Sequence, residues 1–310
     1  MINYYFKTVN DSDLKKLGHF KKGSWIYVHE PTEKDLDTLA KTFRLERGHL
    51  TDALDKYEVP RIESEGDQTY IFTRYPLETG VKGEIVTIPI LIVAGDNFVL
   101  TISSENLHFN EKLPLKDNSL STTQKTKLIL QILSLINRAY NQFINEISRE
   151  IRRISLDLKR KDIKNKDILR LVRSEMALND LIFALIPTKT NLEILTSGKT
   201  LRLFEGDKDL IEDLFLSSNQ LVEVAKSNIK NIVNIRDASN TIMTNNLNKT
   251  IKFLTALTVV LNVPVLISSI YGMNISLPFA RSPWAFFYII AGACLISLTL
   301  IIIFVKKDWF

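Results

Sequence analysis

Charge is almost absent from the end of this 310-residue chain: between Lys252 and Lys306 the one charged side chain is Arg281. Cysteine is scarce too. The single Cys294 excludes an intramolecular disulfide framework and any zinc site built on cysteines. The four histidines (His19, His29, His49, His108) show no i,i+4 pair and no HExxH-like spacing, so no histidine-based catalytic metal site is suggested. Neither glycine nor proline occurs between Gly206 and Pro264, so nothing there would interrupt a long helix. Thr196-Ser197-Gly198-Lys199-Thr200 ends like a phosphate-binding loop, but position 193 is Glu and a helical pattern, not a strand, precedes it. With no nucleophile–base constellation, phosphate loop or clustered metal ligands, nothing supports an enzyme.

Where charge is missing, the chain is apolar. Arg281 separates uncharged runs at 253–280 and 282–305, each longer than the roughly 20 residues that a helix needs to cross a hydrocarbon core. Backbone cannot stay unpaired in lipid, so the runs predict transmembrane helices at about 253–271 and 284–305, joined by a loop over 272–283. A buried soluble helix is the alternative for either run alone, and two in tandem argue against it. Lys249 and Lys252 precede the first span and Lys306 and Lys307 follow the second, so both termini are expected in the cytoplasm. Trp284, Tyr288, Trp309 and Phe310 stand where interfacial aromatics are expected. Met1–Asn10 has neither a basic start nor a long apolar run, so no signal peptide is expected.

The first span is not apolar all round. Thr258, Asn262, Val265 and Ser269 recur at steps of four, three and four and share one helical face, which continues through Leu254, Ile251 and Asn248 and up to Gly272. An amide in mid-membrane, as at Asn262, is costly unless it meets a partner or water. Two readings follow: a hydrogen bond inside a helix bundle, or the wall of a water-filled pore. Two helices per chain cannot enclose a pore, so the second requires an oligomer. Pro264 frees a backbone carbonyl that a neighbour must cover.

Tyr271-Gly272-Met273-Asn274 closing the first of two C-terminal spans, with a short loop and a Lys-Lys-x-Trp ending, resembles the CorA family of divalent-cation channels. The resemblance implies a funnel-shaped homopentamer in the cell membrane, its first spans lining the pore. It makes Gly272, Met273 and Asn274 the outer selectivity site for hydrated Mg2+, with Co2+ or Ni2+ as further ions. Neutral amide and carbonyl oxygens suit an ion that sheds its waters reluctantly, because they hold the hydration shell without trapping the ion. One departure stands out: the loop has no acidic residue and one Arg281, where many members carry acids.

Residues 1–120 read as a cytoplasmic α/β domain. Strands are expected at 24–28, 57–63, 69–75, 85–94 and 97–103, with helices over 33–43, capped by Thr32, and 47–55. Trp25-Ile26, Glu30-Pro31-Thr32, Leu50–Leu54 and Pro60–Glu63 extend the resemblance into this domain. Residues 121–205 predict an antiparallel helical hairpin with a basic tip (Lys159, Arg160, Lys161, Lys164, Lys166). The tip lacks interleaved aromatics, so no nucleic acid is expected. A stalk helix over 206–271 runs into the first span, spanning roughly 95 Å. Its apolar row (Leu214, Leu221, Ala225, Ile232, Ile235) also holds Ser218, Asn228 and Ser239, which predicts the wall of a wet vestibule. The outer loop takes 272–283, the second span 284–305, and a basic tail 306–310. The fold class is α+β.

Two stalk acids are candidate metal sites. Asp237 lies three turns below Asn248, and copies around an axis would make a carboxylate ring. Asp213 stands where the resemblance places an Asp that binds regulatory Mg2+ between subunits. The leading expectation is Mg2+ transport gated by intracellular Mg2+. Transport of Zn2+, Co2+ or Ni2+ by the same fold is the nearest alternative, and a non-conducting, membrane-anchored sensor or scaffold the alternative of another class.

Overall fold

A computed structural model describes every residue except 81–83, 114–119, 160–163, 276, 279–281 and 310. Arg160 and Lys161 of the basic tip, Arg281 of the loop and Phe310 therefore lie outside the described residues. The chain forms two compact units, Met1–Asn234 and Ile235–Phe310.

The first unit is built on one seven-stranded sheet. Its strands are β1 (Ile2–Phe6), β2 (Lys15–Leu17), β3 (Ser24–His29), β4 (Ile62–Glu65), β5 (Gln68–Glu78), β6 (Ile85–Ala94) and β7 (Phe98–Ser103), in the order β2-β1-β3-β7-β6-β5-β4. Only β3 and β7 pair in parallel. Alternation along β3 sends Ile26 and Val28 into a core with Leu36, Leu39, Leu50 and Leu100. Helices α1 (Glu33–Phe43) and α2 (Arg47–Asp52) supply that side. Thr32 starts α1 as expected: its hydroxyl accepts from the Asp35 amide at 3.2 Å, and Asp35 accepts from the Thr32 amide at 2.9 Å. The strand expected at 57–63 begins only at Ile62, because 55–58 make a turn in which Glu58 and Lys56 give their carbonyls to the buried Arg74 guanidinium.

After the short α3 (Phe109–Lys112), the long α4 (Lys125–Lys159) and α5 (Asn165–Thr196) cover the other face. The Tyr140 hydroxyl donates to the Arg74 carbonyl at 3.1 Å, and Asn191 donates to the Phe72 carbonyl at 3.0 Å. Burial pushes the Tyr140 phenol up and the Arg74 guanidinium down.

Helix α6 (Glu205–Tyr271) runs unbroken, as the missing glycines and prolines predict. One expectation for it fails. Ser218, Asn228 and Ser239 face no vestibule; all are buried in the single chain, beside Leu214, Leu221, Ala225 and Ile232. Asn228 donates to the Ser148 hydroxyl of α4 at 2.6 Å, and Asn137 of α4 donates to Ser217 at 2.8 Å. On this row Asn228 is matched by a polar side chain of α4, whereas the Ser218 hydroxyl is buried without a hydrogen-bond partner among the described residues, so this part of the row packs inside the chain.

In the second unit, the end of α6 folds against α7 (Ala285–Lys306). Ala256 and Val260 are buried, with Val263, Pro264 and Ile267 half-buried; Ala293 is buried on α7. Pro264 has no N–H, so the carbonyl four residues earlier, Val260, loses its helical donor. The Ser297 hydroxyl of α7 donates to that carbonyl at 3.4 Å. Both helices are long and apolar enough to cross a membrane. Ser297→Ala should therefore destabilise the hairpin by about 0.5–1.5 kcal/mol in bilayers, and by nothing measurable in a Pro264→Ala background where the helix reclaims its bond. Steric-trap unfolding of the two-by-two cycle reads this, and equal costs in both backgrounds would refute it.

Candidate functional site

With about 100° of rotation per residue, the α7-facing row of α6 (256, 260, 263, 267, 271) and the stripe of 251, 254, 258, 262, 265 and 269 are centred about 180° apart. Ile251, Leu254, Thr258, Asn262, Val265 and Ser269 are all exposed, as is Asn248 at the stripe's margin. The hairpin thus uses one side of α6 for its own packing and leaves the polar side open.

Two details refine that open side. The Thr258 hydroxyl donates to the Leu254 carbonyl at 2.8 Å, so the face it presents outward is an oxygen acceptor. The Asn262 amide, among the described residues, meets no partner within the chain. Asn262 thus makes no hydrogen bond to α7.

Gly272, Met273 and Asn274, the expected selectivity residues, lie at the C-terminal end of the stripe. The Gly272 amide donates to the Ser268 and Ser269 carbonyls at 3.0 and 3.2 Å, and the Met273 amide to Ile270 at 3.2 Å, so the last turn of α6 carries directly into the triplet. Met273 and Asn274 are exposed. The Tyr271 hydroxyl donates to the Pro278 carbonyl at 3.4 Å and ties the far side of the loop back to the helix. The sequence offered no sign of this tie or of the Ser297 contact. A Cβ on Gly272 would meet only the Ser268 and Ser269 carbonyls, at 3.5 Å, an ordinary contact, and Gly272 is not among the glycines at positive φ. Among the described residues nothing inside one chain demands glycine there.

The two stalk acids are not brought together. Asp213 and Asp237 are both exposed, Asp213 in the first unit and Asp237 in the second. Asp237 lies about 50° from the middle of the stripe. Among the described residues no group of three or more His, Cys, Asp or Glu could hold a metal ion.

A sheet-based unit followed by a hairpin of two helices long and apolar enough to cross a membrane, with one open polar face, is the architecture of a two-span membrane protein. The chain belongs to the family described as "CorA-like Mg2+ transporter protein", which matches residues 20–307. It is 25% identical to the cobalt/magnesium transport protein CorA of Methanocaldococcus jannaschii over 299 residues, 92% of this chain and 90% of that one. A magnesium transport protein CorA of Campylobacter jejuni is 32% identical over 180 residues, 54% of this chain and 51% of that one. The complete structure of the CorA magnesium transporter from M. jannaschii superposes with a TM-score of 0.85 at 23% identity, covering 100% of this chain and 99% of that one, and shows the same fold.

The facing of α6 has a direct test. In a Cys294→Ser background, single cysteines at 258 and 262 should react with a water-soluble thiol reagent in membranes, and cysteines at 256 and 260 should not. Equal labelling at all four positions would refute the assignment.

Proposed function

We propose that the chain is one subunit of a homopentameric channel that carries hydrated Mg2+ across the cell membrane, with both termini in the cytoplasm. The observation that carries this reading is the exposed stripe 248–269, opposite α7 and leading to Gly272-Met273-Asn274. A single hairpin cannot close around an ion, and an unpartnered Asn262 in hydrocarbon is costly. Copies arranged around an axis give the stripe water.

In this arrangement the Asn274 amides and nearby carbonyls hold the ion's water shell at the outer end. Mg2+ keeps its waters there because it demands octahedral oxygen geometry and dehydrates reluctantly. Farther in, Asn262 and the acceptor face of Thr258 replace parts of the outer hydration sphere. Asp237 gathers cations at the inner end. An inside-negative potential supplies about 4.6 kcal/mol per Mg2+ per 100 mV, so no nucleotide is needed. Transport of Co2+ is the second reading, favoured by the likeness to the M. jannaschii cobalt/magnesium transport protein; Ni2+ and Zn2+ are further alternatives for the same fold.

Metal-selective uptake into liposomes tests the proposal. Asn274→Ala should lower Mg2+ uptake at least about tenfold, the equivalent of one lost hydrogen bond of about 1.4 kcal/mol, while assembly persists. Gly272→Ala should leave protomer folding unchanged yet reduce uptake. Normal uptake by Asn274→Ala would overturn the selectivity assignment, and a strictly monomeric protein in membranes would overturn the channel.

Intracellular Mg2+ closes the channel in this reading, with Asp213 one ligand at a subunit boundary. A passive pore for a doubly charged ion needs such feedback, because the potential alone would load the cell far beyond need. Bound Mg2+ holds the soluble units together, and its loss leaves carboxylates to repel. Millimolar Mg2+ should therefore protect the wild-type soluble unit from protease. Asp213→Ala and Asp213→Lys should blunt the difference, and undiminished protection in both would leave Asp213 a surface carboxylate.

A further inference from the structure

The Ser297–Val260 contact sets the register of the membrane hairpin, and the register has a consequence at its basic end. With Val260 level with Ser297, each step down α6 matches one step up the antiparallel α7. Lys252 then lies level with 305 and Lys249 with 308, so Lys249, Lys252, Lys306 and Lys307 fall within about 5 Å along the hairpin axis. All four are exposed. None has a carboxylate partner among the described residues. Asp308 is the only acid in the sequence after Asp237.

The lysines are held in this band by two built features. Lys249 and Lys252 are turned about 170° and 110° from the centre of the pore stripe, toward α7 and lipid, so their charge does not stand in the ion path. On α7, Lys307 continues the inward row of Leu300 and Phe304 at steps of four and three. The helix then stops in a Schellman motif. Asp308 takes the left-handed conformation (φ 53), its amide donates to Val305 at 3.2 Å, and the Trp309 amide donates to Phe304 at 3.0 Å. The Trp309 ring stacks on Phe304 at 5.3 Å and 18°. That cap fixes Lys306 and Lys307 beside an aromatic ring at the level where the apolar spans end.

We propose that this band is a binding site for the phosphate of an anionic phospholipid of the cytoplasmic leaflet, seated at the α6–α7 groove with its acyl chains along the apolar faces below. Four cations against one acid, Asp308, at headgroup depth and on the lipid side of the helix pair, leave a net positive band that matches a phosphodiester in charge and position. The exposed apolar rows of α7 suit the chains. Such a lipid neutralises positive charge close to the inner mouth of a cation path without entering that path. The inference rests on the membrane-spanning reading but not on transport.

Trp309 is the reporter. Trp284→Phe removes one other tryptophan, and Trp25 is fully buried in the sheet core, out of reach of contact quenching. The full-length protein is reconstituted in phosphatidylcholine vesicles containing either phosphatidylglycerol or phosphatidylcholine brominated near the headgroup. Brominated phosphatidylglycerol should quench Trp309 with an association preference of at least about fivefold, the increment expected from one engaged lysine. Replacing all four lysines by Gln should bring the preference to one, and replacing them by Arg should restore it, which separates charge from misfolding. Equal quenching by both lipids in the wild type, or a preference that survives the Gln changes, overturns the site. Loss of the preference on adding millimolar inorganic phosphate would make it a soluble-anion site and overturn the lipid assignment. Quenching by neither lipid would instead refute the membrane hairpin itself.

Discussion

Hydrocarbon offers no hydrogen bonds, and the second unit is arranged around one carbonyl that needs one. Pro264 takes the donor from Val260, and the structure answers with Ser297 from the neighbouring helix. Energetically the contact is small. Its effect on geometry is large, because a hydroxyl reaching a single carbonyl sets both which side of α6 faces α7 and how far the two helices are shifted. From the first choice follows the open stripe of Thr258, Asn262 and Ser269. From the second follows the level at which the basic residues of the two helices meet.

The same helix carries two populations of polar residues, and only their surroundings tell them apart. Ser218 and Asn228 sit at steps of three and four among aliphatic residues, as Thr258 and Asn262 do. Sequence periodicity marks both rows as unusual and assigns both to water. For the first row that is wrong: Asn228 is met by Ser148, about eighty positions away in the chain, and no local pattern records such a match. In the second row Thr258 bonds only a carbonyl of its own helix, and Asn262 meets no partner among the described residues. Spacing finds a polar face, but a partner from a distant helix is invisible to it.

Elsewhere the chain was legible to the degree that local chemistry decides the outcome. The box of Thr32 and Asp35, the glycine-free run into Pro264 and the charge gap after Lys252 are each local, and α1, α6 and α7 appear where these signals put them. β1 and β2 were missed because Ile2–Phe6 is short and opens the chain, while Lys15–Leu17 is an edge strand with a mostly exposed, basic pattern that a turn would share. β4 starts later than expected because the buried Arg74 recruits the carbonyls of Lys56 and Glu58, a demand made from another strand. Of the candidate site, the exposed face of α6 and the place of the triplet at its end were readable; the Tyr271–Pro278 tie and the Ser297 contact were not, since both depend on hairpin closure.

What a chain cannot explain about its own residues also carries information. Gly272 has room for a methyl group and an ordinary backbone, yet it is glycine. Asn262 holds an amide in an apolar span with no partner among the described residues. Asp213 is an exposed acid outside any group of three or more His, Cys, Asp or Glu that could hold a metal ion among the described residues. In a monomer the first would be free to vary, the second would be costly, and the third would be ordinary solvated surface. In a ring of copies around an axis each acquires a physical reason: close approach of backbones at a narrow mouth, contact with the water column, and a ligand at a boundary between neighbours. The coherence of these three reasons, drawn from steric room, desolvation and coordination, is the argument for assembly that a single chain can make.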